Sequence, residues 1–206
     1  EFLIAQTTEV DGTTFIGGNG DDSIDDPNGI GGLLSDRKFP SSLDGGGDPL
    51  ANDDDLLVGD AGNDTLNGFS GDDILLGGQD DDDLLGWTGD DTLAGGVGQD
   101  YLTGWEGRDT FVLSPGEILH SSFDVFKDFD PDPNGDFIGL AYGLERTDLS
   151  FTAVESYEFD GETYAVASVV VSAFGSDIAV LEGVSLVEVN NPALYQTVNL
   201  PNFIEL

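Results

Sequence analysis

The stretch GDAGNDTLNGFSGDDILLGG, Gly59 to Gly78, places a glycine and an aspartate at fixed offsets and repeats them every nine residues. A helix does not use such spacing, because each interior glycine costs about 0.5–1 kcal/mol relative to alanine. Working outward, seven blocks of nine run without a gap from Leu50 to Val112: LANDDDLLV, GDAGNDTLN, GFSGDDILL, GGQDDDDLL, GWTGDDTLA, GGVGQDYLT and GWEGRDTFV. Position six is always aspartate: Asp55, Asp64, Asp73, Asp82, Asp91, Asp100 and Asp109. Position eight is always large and apolar: Leu57, Leu66, Leu75, Leu84, Leu93, Leu102 and Phe111. A further copy, GGNGDDSID, stands apart at Gly17–Asp25 and supplies Asp22.

A period of nine with a polar and an apolar half predicts a solenoid. The last three residues of each block are read as a short strand with position eight inward, and the first six as a turn. Glycine at positions one and four supplies positive φ and close backbone approach. Two blocks make one coil, and coils stack at roughly 4.8 Å, the spacing of hydrogen-bonded strands. Each inward Leu contributes about 1.5–3 kcal/mol on burial. Stacked rows of aspartate oppose this, and a hard cation taking six or more carboxylate and carbonyl oxygens removes the conflict. The competing reading of these aspartates, a solvated acidic face, has no reason to select position six seven times.

These rows resemble the RTX family, the haemolysin-type calcium-binding nonapeptide repeat GGxGxDxUx. The resemblance covers residues 17–25 and 50–112. It implies an all-β fold, a parallel β-roll, closed here by a C-terminal β-rich capping region. It also implies Ca²⁺ held between turns 18 residues apart by both position-six carboxylates. Backbone carbonyls join from positions two and four of the earlier turn and one and three of the later. Five ion sites follow, pairing Asp55 with Asp73, Asp73 with Asp91, Asp91 with Asp109, Asp64 with Asp82, and Asp82 with Asp100. Turn residues assigned to these sites are Gly59, Ala61, Gly62, Gly68, Ser70, Gly71, Gly77, Gln79, Asp80, Gly86, Thr88, Gly89, Gly95, Val97, Gly104 and Glu106. Beyond Asp100 the repeat frame puts Ile118 at position six, so the next site is expected to lack a partner. Leu50, Asp53 and Asp80 depart from the pattern, and Asp80 is a candidate extra ligand.

Position two differs by edge. One edge reads Phe69, Trp87, Trp105 and the other Asp60, Gly78, Gly96. Stacking therefore predicts an aromatic ladder on one edge, either covered by a local segment such as the insertion 26–49 or serving as an interaction strip for another subunit or a sugar.

Composition sets the remaining bounds. The 206 residues carry 42 Asp and Glu against 5 Lys and Arg, a formal charge of −37. Nucleic acid and anionic membranes both require basic surface, so this charge argues against them as partners. Such charge also suits a disordered chain, but 13 Phe, 5 Tyr and 2 Trp argue for a core. The reading is a chain that folds when cations neutralise it. There is no Cys, hence no disulfide or thiol chemistry. There is no Met, which points to a processed or trimmed span. No apolar run reaches the 18 or so residues of a membrane helix, and EFLIAQTTEV lacks the features of a signal peptide.

The domain reading is a roll over 1–112, with a cap strand at Glu1–Val10 and a loop insertion at 26–49 that includes Arg37 and Lys38, followed by a β-rich cap or assembly region over 113–206. YAVASVVVSAF (164–174) and SDIAVLEGVSLVEV (176–189) read as strands, and DVFKDFDPDPNGDFIGL (124–140) as the segment closing the open coil. Within it, Asp130, Asp132, Asn134 and Asp136 match the start of a DxDxNG calcium loop; an ordinary Asp-Pro turn is the alternative. The loop's twelfth position is Ala141, so it is not an EF-hand.

No enzyme is expected. His120 is the sole histidine, so no H-E-x-x-H site exists, and no G-x-S-x-G elbow appears. Nothing singles out a glycosidase pair among the acids. The resemblance implies type I secretion with an export signal in the C-terminal segment ALYQTVNLPNFIEL, hence an extracellular or cell-surface protein. The expected role is a structural one, through head-to-tail assembly into a filament, layer or matrix. The alternatives are a polysaccharide- or surface-binding module of a larger protein and the secretion tail of an enzyme.

Overall fold

The computed structural model describes residues 14–19, 23–25, 54–114, 123–132, 134–159 and 161–200, the first two spans as backbone alone. Glu1–Val10, Asp22, the insertion 26–49, Leu50, Asp53, Ile118 and His120 lie outside the described residues.

Each nonapeptide contributes one six-residue strand: β3 (Leu56–Ala61), β4 (Thr65–Ser70), β5 (Ile74–Gln79), β6 (Asp83–Thr88), β7 (Thr92–Val97) and β8 (Tyr101–Glu106), followed by β9 (Thr110–Leu113). The strands are longer than the sequence reading allowed. They run from position seven through position three of the next block, leaving only positions four to six for the turn. Alternate strands pair in parallel, Leu57 with Leu75 and Leu75 with Leu93 on one face, Leu66 with Leu84 and Leu84 with Leu102 on the other. This is a parallel β-roll. All seven position-eight side chains are fully buried between the two faces.

Gly17–Asp25 does not stand apart. Strands β1 (Thr14–Asn19) and β2 (Ser23–Asp25) extend the two faces. Thr14 pairs with Leu56 and Ser23 with Thr65, where later pairs keep a separation of 18. The excess in both pairings equals the 24 residues of 26–49. The insertion therefore enters between a position nine and a position one and leaves the register intact.

Past the repeats, the sheets continue through β10 (Asp124–Phe126) and β11 (Phe137–Leu140). Strand β10 stacks on β8, and β11 on β9. The 164–174 and 176–189 segments form β15 (Ser168–Ala173) and β16 (Ser176–Glu182), joined through the left-handed residues Phe174 and Gly175. Strand β16 stacks parallel on β10, β15 pairs antiparallel with β16, and β12 (Leu149–Val154) pairs with β15. The last part of 176–189 is not strand. Leu186–Val189 forms a helical turn, because Ser185 and Glu188 close a capping box. A hairpin of β13 (Tyr157–Phe159) and β14 (Glu162–Tyr164) packs on the outer face, Phe159 against Tyr101 and Tyr164 hydrogen-bonded to it. Strand β17 (Tyr195–Thr197) ends the other sheet beside β11. One apolar cluster runs from Leu57 to Leu194, so roll and C-terminal region share a core.

Leu93 sits mid-stack with coils on both sides. Leu93→Ala is expected to destabilise the calcium-loaded protein by about 2–5 kcal/mol, read as a lower urea midpoint; a change within error contradicts a packed roll interior.

Candidate metal centre

The turns are built from two opposed ladders. At position six, the backbone N–H of one coil donates to the Oδ1 of the aspartate one coil later: Asp55 to Asp73, Asp64 to Asp82, Asp73 to Asp91, Asp82 to Asp100, each at 2.8 Å, and Asp91 to Asp109 at 2.9 Å. The sequence assigns the same five pairs to shared ions; the contact that joins them here is a backbone N–H to a carboxylate. At position five the direction reverses. Asp72 N–H donates back to Asp54 Oδ1, Asp90 to Asp72, Gln99 to Asp81 and Arg108 to Asp90. The sequence reading missed this column, although Asp54, Asn63, Asp72, Asp81 and Asp90 stand in one register in the aligned rows.

The position-six column does not stop at the repeats. Asp100 N–H donates to Asp124 at 3.3 Å and Asp109 N–H to Asp136 at 2.9 Å. The expectation that the column lacks a partner beyond Asp100 is thus corrected. Separations of 24 and 27 residues replace 18, so the 18-residue step between coils passes over both aspartates. Asp136 is buried and belongs to this column, and its Oδ2 accepts from Asp130 N–H. Asp130, Asp132 and Asn134 lie exposed, in a turn closed by its own bonds, Asp132 N–H to Asp130 Oδ1 and Gly135 N–H to the Asp132 carbonyl.

Every position-six aspartate from Asp55 to Asp109 is at most 4 % exposed. The Oδ2 atoms of Asp82, Asp91, Asp100 and Asp109 are buried without a hydrogen-bond partner. Such burial is costly for an ionised carboxylate. Desolvation, augmented by neighbouring carboxylates, pushes Asp82 up to about 9, Asp91 to about 8, and Asp109 to about 7. Asp136 rises to about 6 for the same leading reason.

Position-one glycines make room for these oxygens. A Cβ on Gly59 would lie 2.4 Å from Asp64 Oδ2 and 2.5 Å from the Gly77 carbonyl oxygen of the next coil; on Gly77, 2.3 Å from Asp82 Oδ2 and 2.6 Å from the Gly95 carbonyl. Gly86 repeats the arrangement with Asp91 and Gly104, and Gly68 with Asp73 and Gly86. A carboxylate and a carbonyl oxygen from adjacent coils thus converge beside each of these glycines. The donor set is all oxygen, as a hard divalent cation requires. Positive φ falls at positions two and four, in Asp60, Phe69, Gly78, Trp87, Gly96 and Trp105 and in Gly62, Gly71, Asp80 and Gly89. The sequence reading had placed it at positions one and four. Position-three carbonyls of Gln79, Thr88 and Glu106 accept from the position-four N–H of Gly62, Gly71 and Gly89. Ala61, Ser70 and Val97 end their strands at the same position, and Asp80 is exposed. Among the described residues, no group of three or more His, Cys, Asp and Glu side chains gathers at one point; the converging oxygens come in carboxylate–carbonyl sets.

Residues 51–84 and 85–116 match the family model of the RTX calcium-binding nonapeptide repeat, four copies. This chain carries RTX repeats. No curated protein matches the chain. The RTX match and the buried carboxylate column together describe a calcium-binding β-roll. The position-six aspartates and the turn carbonyls fit Ca²⁺, which supplies the positive charge that the buried Oδ2 atoms lack.

The aromatic ladder is present. Phe69 and Trp87 stack at 6.1 Å and 4°, Trp87 and Trp105 at 5.3 Å and 5°. The first two are half-buried, and Trp105 is 58 % exposed.

Two outcomes are expected. Asp91→Asn, which alters a carboxylate shared by two pairs, lowers the number of bound calcium ions and raises the midpoint of the calcium-dependent far-UV signal; an unchanged isotherm contradicts the assignment. In chelator, the pH dependence has a fixed sign. These carboxyls titrate higher in the roll than in the unfolded chain, so protonation favours the roll. Metal-free stability is therefore greatest below about pH 4 and is lost as pH rises through about 7 to 9. Circular dichroism against pH in chelator reads it, and a β-signal that grows with pH contradicts it.

Proposed function

We propose that the protein is a secreted structural element whose roll forms on meeting extracellular calcium and which then assembles head to tail into a layer, matrix or filament. The carrying observation is the column of buried carboxylates, which opposes folding of the metal-free chain at neutral pH. A cytosol poor in calcium keeps such a chain unfolded and fit for type I export. Extracellular calcium, against module affinities of about 10⁻⁴–10⁻³ M, drives it to fold.

Assembly draws support from polarity. Parallel coils give the molecule two unlike ends, and a heterologous contact between unlike ends that does not close produces a fibre. The role is non-enzymatic in this reading. The polysaccharide-binding alternative draws less support, because the rings stack on one another, which closes both faces of Trp87 and one face each of Phe69 and Trp105 to a sugar.

Calcium titration at neutral pH, followed by circular dichroism and light scattering together, tests both parts. A β-signal that appears with calcium, and scattering that rises with it, is expected. Full β-structure in excess chelator at pH 7 overturns calcium-coupled folding. Folding with flat scattering overturns self-assembly and leaves a monomeric calcium module.

A further inference from the structure

We propose that the aromatic column Phe69, Trp87 and Trp105 is the docking surface for the chain's own insertion, residues 26–49. The first argument is topological. Strand β2 ends at Asp25, which pairs with Asn67, two residues before Phe69. The chain returns beside the same turn: Asp54 accepts from Asp72 N–H, and Asp55 N–H donates to Asp73. Both ends of the insertion are therefore fixed one coil below Phe69, on the edge that bears the ladder. Twelve extended residues reach about 40 Å, whereas three coil spacings up to Trp105 amount to about 14 Å.

The second argument is the habit of the cations. The chain has 5 Lys and Arg. The three among the described residues each sit over aromatic rings: Arg108 over Phe137 at 5.4 Å, Lys127 over Tyr101 at 4.8 Å and Tyr164 at 5.1 Å, Arg146 over Phe151 at 4.4 Å and Tyr195 at 4.8 Å. Among 42 acidic residues, the sole ion pair between described residues is Lys127 with Glu182. All three described cations are thus seated on rings, and one of them also meets a carboxylate. The two remaining cations, Arg37 and Lys38, lie in the insertion beside Leu33, Leu34 and Phe39. The ladder is the ring stack without a described cation over it.

The third argument is complementarity. The exposed carboxylates of Asp54, Asp72 and Asp90 form a column three residues along the same turns. The edge thus offers an apolar stripe beside a negative one that ends at Arg108, which matches the stretch Leu33–Phe39 within the insertion, where Leu33, Leu34 and Phe39 accompany Arg37 and Lys38 with Asp36 as the one acid. Phe69, Trp87 and Trp105 all take left-handed φ, of 74, 80 and 73°, a conformation rare for bulky residues.

Trp87 and Trp105 are the only tryptophans, so fluorescence reports on this surface alone. The test uses the full chain in saturating calcium with two double variants, Leu33→Asp with Leu34→Asp and Arg37→Ala with Lys38→Ala. Both are expected to red-shift the emission and raise the acrylamide quenching constant roughly twofold, as ring edges pass from contact to water. The β-signal and its calcium midpoint stay unchanged. Deletion of 26–49, joining Asp25 to Leu50 in register, is expected to give the same emission. Emission and quenching unchanged in both point variants overturn the proposal. So does quenching of the unaltered chain that falls with protein concentration, which assigns the ladder to a second copy. An emission shift of the unaltered chain on adding soluble dextran likewise overturns it in favour of a sugar.

Discussion

The structure depends on one contact repeated along its axis: a backbone N–H at position six bonded to the carboxylate of the aspartate one coil later. This contact ties each coil to the next and, by consuming one carboxylate oxygen, directs the other into the buried turn. The glycine at position one exists to leave space for that oxygen. The strand, the turn and the candidate ion site are thus set by a single side chain. Leucine at position eight supplies the apolar burial, but it would do so in many solenoids. The aspartate makes the folded state conditional on charge.

Because each interior aspartate belongs to two pairs, neighbouring coils are not independent. Asp73 and Asp91 each take part in a contact below and a contact above. A solenoid in which each unit touches only its neighbours behaves as a one-dimensional cooperative array. Here the coupling runs through shared aspartates, each giving its carboxylate to one contact and its N–H to the next, as well as through the shared core. The array ends in the C-terminal region, where Asp124 and Asp136 accept the last two position-six N–H groups. That region continues the ladder as well as covering the core.

Much of this was legible in the sequence, because the repeat writes three-dimensional neighbours as a period of 18. Two faces, an inward leucine row, a carboxylate row and a one-sided aromatic ladder all follow from the alignment of seven rows. What was not legible lay where the period changes. Asp124 and Asp136 take the place one coil beyond Asp100 and Asp109 but arrive after 24 and 27 residues, so counting by 18 misses them. The in-frame position of Gly17–Asp25 was hidden by the 24 residues that follow it. The position-one glycines were read as turn residues, although they lie within strands; a missing Cβ looks the same whether it frees φ or vacates space for an oxygen. Leu186–Val189 continued a β-like run of valine and leucine, and only the Ser185–Glu188 pair marks it as a helical turn.

The opposed directions of the two turn ladders carry a consequence for length. At position five the N–H groups point back along the axis, and at position six they point forward. Their dipoles oppose one another within each turn. An α-helix adds every peptide dipole to the same axial sum and gathers partial charge at its ends. The turns of this roll alternate the direction of successive N–H groups, so coils can be appended, or another molecule stacked, with little of that axial sum gathering at the tips.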